Sequence, residues 1–172
     1  MAVLTQSQLL SKAFQQSRQL NKFYISKLKE LDPYENIEFG GEKFNSIYWL
    51  TAHLIWAENN LLVVQTGGDI GAPEWISHYS IFSDGSLHQG HDTYKELLNL
   101  MNELHQKAIA HLESLTDEQL DEDNVSKMSL GGTDVSKRFS IIHAIRHEST
   151  HTGHFGWIGK MNKIKTIRWF AQ

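Results

Sequence analysis

The chain has 172 residues, 40% hydrophobic and 21% charged, with a formal net charge of −4 and no cysteine. That composition fits one globular domain spanning 1–172, long enough to bury about 70% of its unfolded surface. It excludes disulfides, thiolate metal ligands and a cysteine nucleophile, and its acidic balance argues against a nucleic-acid partner.

The amino terminus lacks a basic, apolar leader pattern and no run of about 18 apolar residues occurs, so the expectation is a cytoplasmic protein with no membrane segment. Thr5-Gln6-Ser7-Gln8 has the form of a capping box. Behind it Leu9, Leu10, Ala13, Phe14, Leu20, Phe23, Tyr24, Leu28 and Leu31 recur at helical spacing until Asp32-Pro33, which predicts a first long helix. Tyr34 to Lys43, with Gly40-Gly41, is a connection. Ile47, Leu50, Leu54, Ala57, Leu61 and Val64 then recur at steps of three and four up to Gly67-Gly68, as in a core helix. His53 shares a side with Trp49 and Trp56, so its imidazole is expected to point inward.

Between Thr66 and His91 lies a long stretch without periodicity, rich in glycine and containing Pro73, His78 and His88, as in a lid or a crossover. A third helix follows, with Asp92 as its cap and Tyr94, Leu97, Met101, Leu104, Ala108, Leu112 and Leu115 at helical spacing. His105 and His111 on it have no partner at i±3 or i±4 and are expected to face solvent. Thr116-Asp117-Glu118-Gln119 is a second capping box, in an acidic patch reaching Asp123. Val125 to Ser136 reads as a loop, and Ser136 caps a last helix from about Arg138 to about Ile164. Gly153, Gly156 and Gly159 weaken that helix, so they are expected to admit a close neighbour or a ligand. Lys160, Lys163, Lys165 and Arg168 near its end complement the helix dipole. Four long helices and no strands make an all-α, four-helix bundle with a long connection between helices 2 and 3.

The last helix carries the feature that needs a reason. His143, His147, His151 and His154 fall on one stripe roughly 80° wide at ~100° per residue, on the seam where a bundle helix normally presents apolar side chains. Neutral imidazoles at i and i+4 can share an ion such as Zn²⁺ or its first-row neighbours. Ordinary hydrogen-bonded core histidines are the bland alternative.

Three metal chemistries fit parts of the pattern. His147-Glu148-Ser149-Thr150-His151 matches the His-Glu-x-x-His motif of zinc proteases, with Glu148 as base, but no aspartate or glutamate follows and Trp157 stands where a third histidine belongs. Glu148-x-x-His151 supplies one copy of a di-iron carboxylate motif, without a second. The third reading takes the missing ligand from His53, leaving an open three-histidine site suited to catalysis. Closure by His154 or Glu58 would make the metal structural instead.

The stretch Ser46-Ile-Tyr-Trp-Leu-Thr-Ala-His53-Leu-Ile-Trp-Ala-Glu58, paired with His147-x-x-x-His151-x-Gly153-His154, resembles the DinB-like family of metal-binding four-helix bundles, also called YfiT-like metal-dependent hydrolases. The resemblance spans nearly the whole chain. It implies that His53, His147 and His151 hold a divalent metal, Zn²⁺ or Ni²⁺, and it leaves His154, where the family often has glutamine, as a substrate contact or a residue supporting the ligands. His143 and Glu58 are further candidates for such a role, and Glu148 for orienting water or an imidazole, or else for a surface ion pair. Some relatives are transferases or isomerases using a low-molecular-weight thiol, so the resemblance implies a small-molecule substrate, a thiol cosubstrate and a homodimer. A non-catalytic dimeric binding or stress-response protein with a structural metal is the competing expectation.

Overall fold

The computed structural model describes residues 3–81, 83, 93–130 and 132–165. The expectations placed on His88, His91, Asp92, Gly131 and Arg168 lie outside these residues.

Thr5 caps helix α1, Gln6–Lys27, through the reciprocal bonds with Gln8 that the sequence predicts, though the helix ends before Asp32. The predicted connection holds a β-hairpin, β1 (Ile37–Phe39) paired antiparallel with β2 (Glu42–Phe44). Gly40 and Gly41 both have positive φ, the two-residue turn geometry that a Gly-Gly pair makes easy. Helix α2, Ile47–Glu58, is capped by Ser46 and continues through a wider turn at Asn59–Val63 and a tighter one at Val64–Thr66, ending at Gly67 in the left-handed region. Of its twelve residues only Trp56 is less than fully buried, so α2 is enclosed on all sides. A further tight helical stretch, Glu74–Tyr79, lies in the long connection. Helix α3, Tyr94–Ser114, is capped by Thr93 with Glu96, one residue after the expected Asp92, because Thr93 and Glu96 form a capping box. The short α4, Asp117–Leu120, has the predicted Thr116/Gln119 box, and α5, Lys137–Met161, starts at Ser136 as expected.

Side-chain contacts fix the helix directions. Gln6 meets Arg138, Asn21 meets Thr152 and Tyr24 lies against Gly156, so α1 and α5 run parallel. Thr51 meets Tyr94, Glu58 meets His105 and Thr66 meets His111, so α2 and α3 are parallel too. His147 reaches His53 while Ser140 reaches Leu61, which sets α5 antiparallel to α2. Two consecutive parallel helices require the chain to return along the full bundle length. The long second connection is therefore a crossover, as a bundle of this kind demands.

Two packed clusters form the core, one around Phe155, Leu54, Tyr48 and Met101, the other around Phe14, Leu62, Leu112 and Ile141. The core face of α1 is not the one its leucines suggest. Ser7, Ser11, Phe14, Arg18, Asn21 and Ile25 are its buried residues, whereas Leu9, Leu20 and Phe23 are exposed. Polar residues occupy this seam because they have partners across it: Ser11 Oγ donates to Glu113 at 2.7 Å, and Arg18 and Asn21 bond to Glu148. Nor do His105 and His111 face open solvent. His105 Nδ1 lies 2.7 Å from Glu58 Oε1, and His111 Nε2 lies 2.7 Å from Thr66 Oγ1. Their partners come from α2, where i±3 and i±4 reasoning does not look. Of the α5 glycines, Gly156 admits a neighbour, since a Cβ there would meet Tyr24 at 3.1 Å, while Gly153 faces open space. Among the described residues, no helix is long and apolar enough to cross a membrane.

Candidate metal centre

Helix periodicity places His147 and His151 one turn apart on the inner face of α5, and the antiparallel α2 brings His53 opposite them. His147 Nε2 is 3.2 Å from His53 Nε2 and 3.3 Å from His151 Nε2. The three rings offer one nitrogen each within 4.8 Å of one another.

The surroundings fix the first ring firmly. His53 is stacked on Trp49 at 4.8 Å between centroids and on Trp56 at 5.5 Å, and its Nδ1–H donates to the Tyr79 carbonyl at 2.7 Å. That bond leaves a lone pair on His53 Nε2 pointing at the cluster. His151 Nδ1 lies 3.1 Å from His154 Nδ1, so its second nitrogen also has a partner.

Burial keeps these rings uncharged. It pushes His151 down to about 2 and His147 to about 3, with the neighbouring imidazoles adding to the effect, and it lowers His53 as well. Neutral rings create a proton-counting problem. If His147 Nε2–H donates to His53, the same proton cannot also lie on the line to His151; if His147 accepts from His151, it faces the His53 lone pair with none. One close N···N contact is always left without its own proton. A shared cation resolves this, and imidazole nitrogens ~2.0 Å from a tetrahedral ion stand ~3.3 Å apart, close to the two observed separations. The residues present fit a divalent ion. His53, His147 and His151 would hold it through Nε2, while the Nδ1 atoms of His53 and His151 keep their contacts with Tyr79 and His154.

The other candidates stand elsewhere. Glu148 is 2% exposed, so it is not a surface ion-pair residue, and both of its carboxylate oxygens are taken by α1. Its Oε1 accepts from Arg18 Nη2 at 2.6 Å and its Oε2 from Asn21 at 2.6 Å. Glu58 Oε2 pairs with the same Arg18 nitrogen at 2.8 Å and its Oε1 with His105, so it does not close the histidine cluster. Burial pushes Glu148 up, with Glu58 adding to it against the pull of Arg18; the guanidinium, despite its own burial, is held charged by the two carboxylates. The carboxylate that the protease and di-iron readings both need, that of Glu148, is committed to Arg18 and Asn21. His143 stacks on Phe139 one turn below His147, and its Nδ1 is buried without a hydrogen-bond partner.

A cavity of about 410 Å³ adjoins the cluster and shares His151 with it. Its walls come from the hairpin and from α2 and α5, with Phe39, Phe44, Trp49, Leu50, Trp157 and Met161 among them and His154 at the rim. The described part of the Thr66–His91 connection contributes the Tyr79 carbonyl behind His53. Sequence reading missed Tyr79, Arg18 and the hairpin aromatics; only the Gly-Gly turn between two short β-favouring runs signalled any of them.

The buried imidazoles set a pH dependence. Unfolded histidines take up protons near 6.5, whereas folded His147 and His151 refuse them until about 3 and about 2. The unfolded chain therefore binds more protons between those limits. The metal-free protein is expected to be most stable above pH 6.5 and to lose melting temperature steadily as pH falls towards 3. Thermal melts across that range check this, and a His147→Gln/His151→Gln variant flattens the slope.

A family model described as the DinB superfamily matches residues 11–155, most of the chain. No curated protein matches it. Among solved structures it is similar to the crystal structure of a conserved protein from Enterococcus faecalis, at 17% identity and a TM-score of 0.54 over 90% of this chain and 95% of that one, a likeness of fold.

Proposed function

We propose that this chain, which belongs to the DinB superfamily, is a divalent-metal-dependent enzyme acting on a small molecule, with His53, His147 and His151 holding Zn²⁺ or Ni²⁺. The observation that carries this is the convergence of three neutral Nε2 atoms at 3.2 and 3.3 Å with too few protons to bond them. A bound ion would supply Lewis-acid chemistry, lowering the pKa of a coordinated group. The chain's own residues do the rest. Tyr79 and the two tryptophans hold His53 in one tautomer and orientation, His154 supports His151, and the apolar walls keep water from the reacting side of the cluster.

The site is open, which favours catalysis over a structural metal. Among the described residues neither Glu58 nor His154 completes a fourth position: Glu58 is held by Arg18 and His105, and His154 stands behind His151. The reaction is a thiol-dependent transfer or isomerisation, or a hydrolysis. Protein loaded with zinc or nickel and offered a low-molecular-weight thiol with an uncharged electrophile is expected to consume both, and His151→Ala to consume neither. Hydrolysis without thiol would select the hydrolase branch. Absence of turnover with either metal, with or without thiol, would favour the non-catalytic alternative.

The working form is a homodimer. Leu9, Leu20 and Phe23 on α1 and Ile142 on α5 are large apolar side chains left exposed on the outward faces of two adjacent helices. Leu20→Glu/Phe23→Glu is expected to shift the mass measured by light scattering from two chains to one; an unchanged mass would remove α1 from the interface.

A further inference from the structure

The cavity beside the histidine cluster has a chemistry of its own. Its volume is about 410 Å³, and no lysine, arginine, aspartate or glutamate is among its lining residues. Asn45, His151 and His154 are its polar groups, and both histidines lie on the side towards the cluster. Three of its aromatic walls are largely exposed: Phe39 is 61% exposed, Phe44 52% and Trp157, whose ring Lys160 Nζ approaches at 5.2 Å, 62%. Isolated exposed aromatics mean little, but three of them around one concavity mark a surface that a ligand covers.

We propose that this cavity binds an uncharged, flat, apolar molecule on the order of 15 to 20 non-hydrogen atoms, whose single polar donor atom is held at the His151 edge. A carboxylate, sulfonate or phosphate on the body of the ligand would lose its hydration against lining side chains that carry no counter-charge, Lys160 Nζ standing 5.2 Å from the Trp157 ring and outside the lining, so an anionic body is disfavoured. A peptide strand is disfavoured too, because the lining side chains offer its backbone groups one amide and two imidazoles to bond. The apolar part of this inference stands on the cavity alone. The placement of the donor atom rests on the proposed metal at His53, His147 and His151.

A set of probes built on one body separates the two parts. Naphthalene-2-carboxamide supplies the body with an uncharged polar group, naphthalene-2-sulfonate the body with a charge, naphthalene-2-hydroxamic acid the body with a metal-binding head, and acetohydroxamic acid the head alone. Each is titrated into zinc-loaded and metal-free full-length protein, with quenching of tryptophan fluorescence and calorimetry as readouts. The carboxamide is expected to bind one per chain and equally to both forms, the sulfonate at least about tenfold more weakly. The hydroxamic acid is expected to prefer the zinc-loaded form by about tenfold or more, and to bind it more tightly than acetohydroxamic acid does.

Phe39→Ser/Phe44→Ser, at exposed positions, is expected to weaken carboxamide binding by about tenfold while leaving metal content unchanged. Equal affinity for sulfonate and carboxamide, or an unaltered affinity in the double variant, would overturn the proposal. Loss of carboxamide binding in step with dimer formation would overturn it in favour of a second copy of the chain as the occupant. Carboxamide binding that persists while zinc makes no difference to the hydroxamic acid would overturn the donor placement but not the apolar site, and failure of the protein to retain zinc would overturn the metal reading instead.

Discussion

Replacing Arg18 by alanine is expected to lower the stability of the protein by about 3–5 kcal/mol, the cost of leaving a buried charge uncompensated. For a chain of this size that is a fall in melting temperature on the order of 10 °C. Arg18 is fully buried, and its Nη2 serves Glu58 at 2.8 Å and Glu148 at 2.6 Å. Without it two carboxylates from different helices meet in the core with no cation between them. The cluster is imperfect even when intact, since Arg18 Nε and Nη1 have no hydrogen-bond partner. That imperfection yields a sharper expectation. Arg18→Met combined with Glu58→Gln and Glu148→Gln removes every charge but keeps acceptors for Asn21 and His105, and it is expected to recover most of the lost stability. Thermal and urea unfolding of the single and triple variants check this. A shift below about 2 °C for Arg18→Ala would contradict the charge-pairing account of the α1 seam.

His53→Ala is expected to weaken binding of a divalent ion by more than about a hundredfold, since even residues that only support a ligand are worth ~10–100-fold. Its effect should match those of His147→Ala and His151→Ala, because one third of the donor set goes in each case. The supporting residue discriminates further. His154→Gln keeps an acceptor for His151 Nδ1–H and should bind nearly as well as wild type, whereas His154→Leu loses that acceptor and should fall by ~10–100-fold. His143→Ala, one turn away, should leave affinity unchanged. Equilibrium dialysis against a zinc chelator measures all of these, and a His53→Ala protein that keeps wild-type affinity would remove α2 from the site.

The histidine cluster was legible because its signal is local in sequence and unusual in type. Four imidazoles on a core seam have no packing reason, and the inward face of α2 follows from the residues around His53. The caps at Thr5, Thr116 and Ser136 were legible for a similar reason, each being a short pattern with its own hydrogen-bond logic. Arg18, Asn21 and Glu148 were hidden by the opposite circumstance. Their burial depends on partners more than a hundred residues away, so a hydrophobic-period reading of α1 follows Leu9, Leu20 and Phe23 to the wrong face. The Tyr79 carbonyl behind His53 was invisible because a backbone acceptor carries no residue signature. The hairpin wall of the cavity was hidden because its two strands are too short to show alternation, with only Gly40-Gly41 to mark them.

Cobalt titration of the metal-free, tag-free protein tests the central claim most directly, because Co²⁺ reports on number and geometry of ligands as well as on stoichiometry. Three imidazoles with one open position predict saturation at one equivalent per chain, with the intense visible absorption of a four-coordinate nitrogen-rich site that zinc then bleaches. His53→Ala should abolish that spectrum. Wild-type protein that takes up no cobalt, or that gives only the faint spectrum of a six-coordinate ion at the surface, would contradict the account and return the histidine seam to a purely structural role.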